Sequence, residues 1–169
     1  MQSHLQSRHF YHDVPTEGEP GSFNEVFTFY LYDFGGNLTG YQQYRPLGDK
    51  SYRRNPKEGK YFTHITPGRV GVWGLQYHCP SPIMVITEGV FKAVRFHNLG
   101  INAIAVLSND PVHLKQQLYL LSLTYDLVVV PDPDKAGSKL TKYGTRFIIP
   151  TKPVDELTNN EMEFLCKSL

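Results

Sequence analysis

The sequence predicts an α/β chain built in two parts: a small, antiparallel, β-rich basic lobe, then a mainly parallel sheet flanked by helices. Three observations carry this expectation. In the second half, short β-branched runs such as Ile83–Thr87 and Leu127–Val130 alternate with helical patterns, the signature of crossover connections in a parallel sheet. In the first half, aromatic and β-branched runs flank Gly35-Gly36-Asn37, a hairpin signal. Charge is also uneven. The whole chain carries a net +1, but residues 41–70 hold seven cations against two acids, a local +5.

The elements follow in order. Residues 1–22 are polar and turn-rich and read as a loosely held arm, with His4, His9 and His12 at no metal-ligand spacing. Val26–Asp33 and Leu38–Arg45 are the hairpin strands. Residues 46–60 form a polar loop, and Tyr61–Ile65 and Arg69–Leu75 are further short strands, so a β-rich subdomain spans residues 23–80. The parallel unit occupies residues 81–169. Strand 83–87 leads to a helix over 90–98 with Gly100 at its end. Asn102–Leu107 is the next strand. Asp110 caps a following helix that has Pro111 in its first turn and Leu114, Leu118 and Leu121 on its apolar face. Strand 126–130, a short helix over 139–143 and strand 146–149 come next. Thr158 and Glu161 have capping-box spacing for a last helix ending near Lys167.

Three acids stand just past strand ends. Glu88 follows Ile83–Thr87, and Asp132 and Asp134 follow Leu127–Val130. In parallel sheets the ligand site lies outside the carboxyl ends of the strands, so these acids should share one edge. They would repel one another unless a cation lies between them, and oxygen donors suit Mg²⁺ or Mn²⁺. The alternative is that Asp132-Pro133-Asp134 is a turn, since Asp and Pro are common turn formers. Asp155 is either a further ligand or a solvated acid near a helix start.

Within residues 41–70, Arg45, Arg53, Arg54, Lys57 and Lys60 are interleaved with Tyr41, Tyr44, Tyr52, Tyr61 and Phe62. Cations that track phosphates and rings that stack bases describe a single-strand binding groove. A solvated loop beside core aromatics explains the same residues. Lys92, Lys135 and Lys139 lie near the acids in sequence and either hold a triphosphate or nucleic-acid backbone, or are plain surface lysines.

Other chemistries find no support. There is no GxxxxGK[ST] loop and no GxGxxG fingerprint. Cys79 and Cys166 lack CxxC spacing and read as reduced thiols inside a cell. No run approaches the roughly 18 apolar residues of a membrane helix, and no signal-peptide core is evident. A cytoplasmic protein is expected.

The order of motifs resembles the TOPRIM fold, shared by primases, topoisomerases and some nucleases: a strand ending in Glu88-Gly89, then one ending in Asp132-x-Asp134-x-Ala136-Gly137. The first lobe narrows the resemblance. Tyr32-Asp33, Gly40-Tyr41-Gln42, Arg45, Lys60-Tyr61 and Val72-Trp73-Gly74-Leu75 are similar to the basic subdomain that precedes TOPRIM in bacterial and phage DNA primases. Lys152 with Asp155 resembles their late acidic motif, so the likeness covers about residues 26–157. It implies Glu88 as metal ligand or general acid/base, Asp132 and Asp134 as Mg²⁺ ligands, and Arg45 and Lys60 on template or nucleotide phosphates. It implies RNA primer synthesis from nucleoside triphosphates on single-stranded DNA, with a replicative helicase or another replication protein as partner, in host cytoplasm if the chain is phage-encoded. Three departures stand out. Lys92 takes a position where primases usually carry an acid, Pro133 replaces the usual glycine between the aspartates, and no zinc-binding module is expected. The rival implications are a TOPRIM nuclease using the same carboxylates, and a non-catalytic nucleic-acid-binding protein that kept the fold.

Overall fold

The computed structural model describes residues 4–50 and 55–169. The chain divides into two compact units, residues 1–71 and 72–169.

The first unit is a four-stranded antiparallel sheet of β1 (Thr16–Glu17), β2 (Val26–Tyr32), β3 (Leu38–Tyr44) and β4 (Tyr61–Ile65), in that spatial order. The turn between β2 and β3 closes on Asp33, whose carboxylate accepts the backbone N–H groups of Gly35 at 3.0 Å and Asn37 at 2.9 Å. These bonds hold the Asp33 carboxyl below its ordinary range, Asn37 contributing most. Register sorts the side chains by face, because neighbours along a strand point oppositely. Phe27, Phe29, Leu31 and Tyr44 fall on the buried face.

Residues 4–22 of the arm are not loosely held. Leu5 and Phe10 are buried, β1 pairs with β2, and a short helix, α1 (His4–Ser7), places His4 within hydrogen-bond distance of the Tyr44 hydroxyl at 2.9 Å. Phe10 packs its ring 5.1 Å from that of Phe29. Two apolar residues suffice to anchor an otherwise polar segment, because the sheet face they cover is itself apolar.

The second unit is a four-stranded parallel sheet in the order β6-β5-β7-β8, where β5 is Ile83–Thr87, β6 Asn102–Ala105, β7 Asp126–Val129 and β8 Arg146–Phe147. This is the expected fold class: helices α2 (Val90–His97), α3 (Lys115–Ser122) and α4 (Asn159–Cys166) follow β5, β6 and β8. Strands β5, β6 and β7 are buried almost throughout, which accounts for their unbroken apolar runs.

Two local expectations are corrected. Arg69–Leu75 forms no strand. Only Val72 and Trp73 make isolated bridges, with Trp73 exchanging backbone bonds of 3.1 and 2.9 Å with Ala105 at the β6 edge, and a turn of 3-10 helix follows over Leu75–Tyr77. Gly74 ends the extended stretch in the left-handed region at φ 112°, where an added Cβ would lie 2.3 Å from the Ala103 carbonyl oxygen. Asp110 does not cap α3. Its carboxylate accepts the Tyr143 hydroxyl and pairs with Lys142 at 2.9 Å, and a 3-10 turn over Val112–Leu114 starts the helix instead. Among the described residues, no helix is long and apolar enough to cross a membrane.

Candidate active site at an acidic sheet edge

The parallel order of β5 and β7 sets the geometry. Ile86 pairs with Val129, and the Val130 N–H donates to the Ile86 carbonyl at 2.9 Å, so both strands end at the same level. Glu88 stands two residues beyond Ile86 on one strand, and Asp132 three residues beyond Val129 on its neighbour. Glu88, Asp132 and Asp134 thus occupy one carboxyl edge.

Each acid is held differently. Glu88 leaves β5 at a turn fixed by the buried Thr87, whose hydroxyl donates to the Gly89 carbonyl at 3.2 Å. Burial pushes the Glu88 carboxyl above its ordinary range; the Lys92 ammonium opposes this, and Asp132 and Asp134 add to it. Asp132 forms an ion pair through Oδ2 with the Lys92 ammonium, the lysine side chain 14% exposed and the aspartate 21%. Asp134 turns back into its own loop, where Oδ1 accepts the Gly137 N–H at 2.6 Å. Gly137 itself lies against the backbone of Asp132. A Cβ there would meet the Asp132 carbonyl oxygen at 2.4 Å, so the loop closes only around a glycine.

Two buried carboxylate oxygens at this edge, Glu88 Oε1 and Asp132 Oδ1, have no hydrogen-bond partner. A desolvated acceptor without a donor is costly, and a hard cation relieves it. The donor set is therefore chemically suited to Mg²⁺ or Mn²⁺. It is not a closed cage: no group of three His, Cys, Asp or Glu side chains among the described residues is gathered closely enough to hold an ion. Asp155 lies on a 3-10 turn over Val154–Glu156 that packs against α2, the helix carrying Lys92.

The sequence names Gly137 only within a motif and marks no role for Thr87 or Leu107. Thr87 and Gly137 shape the loops, through a hydroxyl bonded to the Gly89 carbonyl and a close approach to the Asp132 backbone. Leu107 stands two residues past the end of β6 at φ 58°, a left-handed conformation that a leucine rarely adopts, beyond the carboxyl end of the strand beside β5.

The cations of the first unit separate. Arg45 and Lys60 meet where β3 and β4 run on, the Arg45 N–H donating to the Lys60 carbonyl at 2.9 Å. Arg45 donates to Gln43 Oε1 at 3.2 Å through Nη2, while its buried Nη1 has no hydrogen-bond partner. Lys57 is exposed on a short 3-10 turn, and Lys135 is exposed in the acidic loop. Arg53, Arg54 and Tyr52 lie outside the described residues. The aromatic residues also divide. Tyr44 is core, stacked on Tyr61 at 5.1 Å, whereas Tyr41, Phe62 and His64 cluster on the opposite face, Tyr41 lying 6.3 and 5.4 Å from the other two rings. Alternation along β3 and β4 puts Arg45 and Lys60 on that same face.

No protein-family model matches the chain, and no functionally curated protein matches it in sequence. Solved structures do match. The primase fragment of the bacteriophage T7 primase-helicase superposes with a TM-score of 0.59 at 12% identity, over 85% of this chain and 62% of the T7 chain. The zinc-binding and RNA polymerase domains of the Aquifex aeolicus primase give 0.59 at 22% identity, over 92% and 42%. A DnaG primase catalytic domain bound to single-stranded DNA gives 0.60 at 19% identity, over 97% and 56%. The chain spans about half the length of these relatives. At such identities the likeness establishes the fold, that of primase catalytic cores.

Proposed function

We propose that the chain is a primase-type nucleotidyl transferase that extends an RNA primer on single-stranded DNA. The observation supporting it most directly is the carboxyl edge: Glu88, Asp132 and Asp134 arrive together, on the fold of primase cores, with two buried carboxylate oxygens unpartnered.

Primer synthesis joins a 3′-hydroxyl oxygen to the α-phosphorus of a nucleoside triphosphate, and pyrophosphate leaves. The barrier is largely electrostatic, since an oxyanion approaches a polyanion. A divalent cation held by Glu88, Asp132 and Asp134 would supply charge neutralisation at the reacting phosphate. The protein's own groups do the rest. Glu88, with its raised proton affinity, is suited to accept the proton of the attacking hydroxyl. The N-cap of α2 is Gly89, where an added Cβ would meet nothing, and a helix N-terminus there would favour a phosphate. Tyr41, Phe62 and His64 offer stacking surfaces, and Arg45 and Lys60 offer cations beside them, for the template strand. Asp155 is proposed as a supporting ligand, and Lys57, Lys135, Arg53 and Arg54 as further phosphate contacts. The solved relatives named for single-stranded DNA and for a helicase make template binding and a replication partner the natural proposals for this chain.

One observation favours a second reading. The ion pair of Lys92 with Asp132 sets a cation on an acid that a catalytic metal would use, as expected of a binding protein that kept the fold without the chemistry. Purified protein with Mg²⁺ or Mn²⁺, single-stranded DNA and labelled nucleoside triphosphates separates the readings. Extended products are expected. Shortened DNA would make the chain a nuclease, and strand binding without either product would make it a binding protein.

A further inference from the structure

Lys92 occupies an unusual place. It lies in the first turn of α2, which carries no acid, where the helix dipole disfavours a cation. Its side chain is largely buried, so desolvation adds to that cost. Only a strong counter-charge holds an ammonium there, and Asp132 Oδ2 provides it. The other Asp132 oxygen, Oδ1, is buried and unpartnered, as is Glu88 Oε1. The carboxylate is therefore divided: one oxygen belongs to Lys92 and one is left for something else. Charge counting agrees. The carboxylates of Glu88, Asp132 and Asp134 with the Lys92 ammonium leave the edge at −2, which one divalent ion neutralises. Two divalent ions would drive the edge to +2 beside a fixed ammonium.

We propose that the Lys92 ammonium is a resident cation of the acidic edge, standing on Asp132 Oδ2 where a second divalent ion would otherwise bind, so that the site takes a single ion between Glu88 Oε1 and Asp132 Oδ1. This rests on reading the edge as metal-binding, and it assigns Lys92 a positioning role. The lysine orders Asp132 before metal arrives and lowers the number of ions the reaction needs.

The test is a Mn²⁺ titration of the full chain, counting free ion by electron paramagnetic resonance, beside thermal unfolding in EDTA. The wild type is expected to bind one equivalent. Lys92→Met removes a positive charge beside the ion and should tighten Mn²⁺ binding by at least about tenfold. It should also unfold at lower temperature in EDTA, with Mn²⁺ restoring the loss. Lys92→Glu should bind a second equivalent, and Lys92→Arg, which keeps the charge, should behave as wild type. Two equivalents or none in the wild type, or unchanged stoichiometry and affinity in both Lys92→Met and Lys92→Glu, would overturn the proposal. So would failure of both variants to fold with or without Mn²⁺, because then no divalent ion can take the ammonium's place. Primer synthesis is scored separately. One equivalent of Mn²⁺ without synthesis leaves this inference standing and removes the functional reading; synthesis with two equivalents does the reverse.

Discussion

Asp132 is held by groups of opposite character. Lys92 draws one carboxylate oxygen, the other is buried without a partner, and the residue's backbone is pressed against Gly137. The last contact gives a sharp expectation. Gly137→Ala forces a methyl group to within 2.4 Å of the Asp132 carbonyl oxygen, and backbone cannot yield as a flexible side chain would. A loss of about 1–3 kcal/mol in urea unfolding is expected, the usual cost of overpacking. Synthesis should fall further than stability does, since the displaced group carries Asp132. Gly89→Ala is the control, expected to fold as wild type because its Cβ enters open space. Glu88→Gln, Asp132→Asn and Asp134→Asn each keep shape and remove charge. Each should lower primer synthesis by about a hundredfold or more, the scale of losing one charge-stabilising group at a reacting centre. Circular dichroism should show each of them folded. Glu88→Gln should also unfold at a higher temperature than wild type in EDTA at neutral pH. The sign follows from the raised proton affinity of Glu88: the folded state prefers the neutral acid, so ionised Glu88 costs stability once pH exceeds its folded value.

At the scale of elements, α4 is the most legible. Thr158 accepts the Glu161 N–H at 3.3 Å and the Thr158 N–H donates to Glu161 Oε2 at 2.7 Å, the reciprocal bonds that the S/T-x-x-E spacing announces. Thr158→Ala should cost about 1 kcal/mol of stability. Those bonds, led by the one from the Thr158 backbone, pull the Glu161 carboxyl down from its ordinary 4.5 to about 2, with help from Lys152 at 3.0 Å. Because the folded value is the lower one, this contribution is complete above pH 4.5 and disappears as pH falls toward 2. Acid titration of Glu161→Gln against wild type, followed by thermal unfolding, should show the two curves converge over that window. Other elements were hidden because their partners are distant in sequence. Asp110 beside Pro111 has every local mark of a helix cap, yet Tyr143 and Lys142 engage its carboxylate instead. Arg69–Leu75 has strand composition but only Val72 and Trp73 form bridges, so it cannot run as a strand. Leu5 and Phe10 are two apolar residues in a polar arm, too few to signal burial without knowing the sheet face they cover.

The fold class was readable because periodicity is a local property with a global consequence. A parallel sheet needs strands buried on both faces, and β5, β6 and β7 announce that by composition alone. Placing the three acids on one edge needed only the rule for strand ends. What no pattern could convey was how they are partnered: Lys92 on Asp132, Gly137 on Asp134, and Thr87 behind Glu88. The basic segment was only half legible, since alternation sends Tyr44 into the core and leaves Tyr41 and Phe62 on the face with Arg45 and Lys60. If about four cations of the first unit touch single-strand phosphates, log affinity should fall against log salt with a slope near −3. Arg45→Ala with Lys60→Ala should flatten that slope while the acidic-edge variants leave it unchanged. The two surfaces would then be separable, one for the strand and one for chemistry. The most direct test is primer synthesis on single-stranded DNA with labelled nucleoside triphosphates and Mg²⁺, comparing wild type with Glu88→Gln and Asp132→Asn at matched strand binding. Extended products from the wild type, lost in both variants, are the expected result; synthesis by both variants at the wild-type rate would show the acidic edge to be structural and contradict the proposed function.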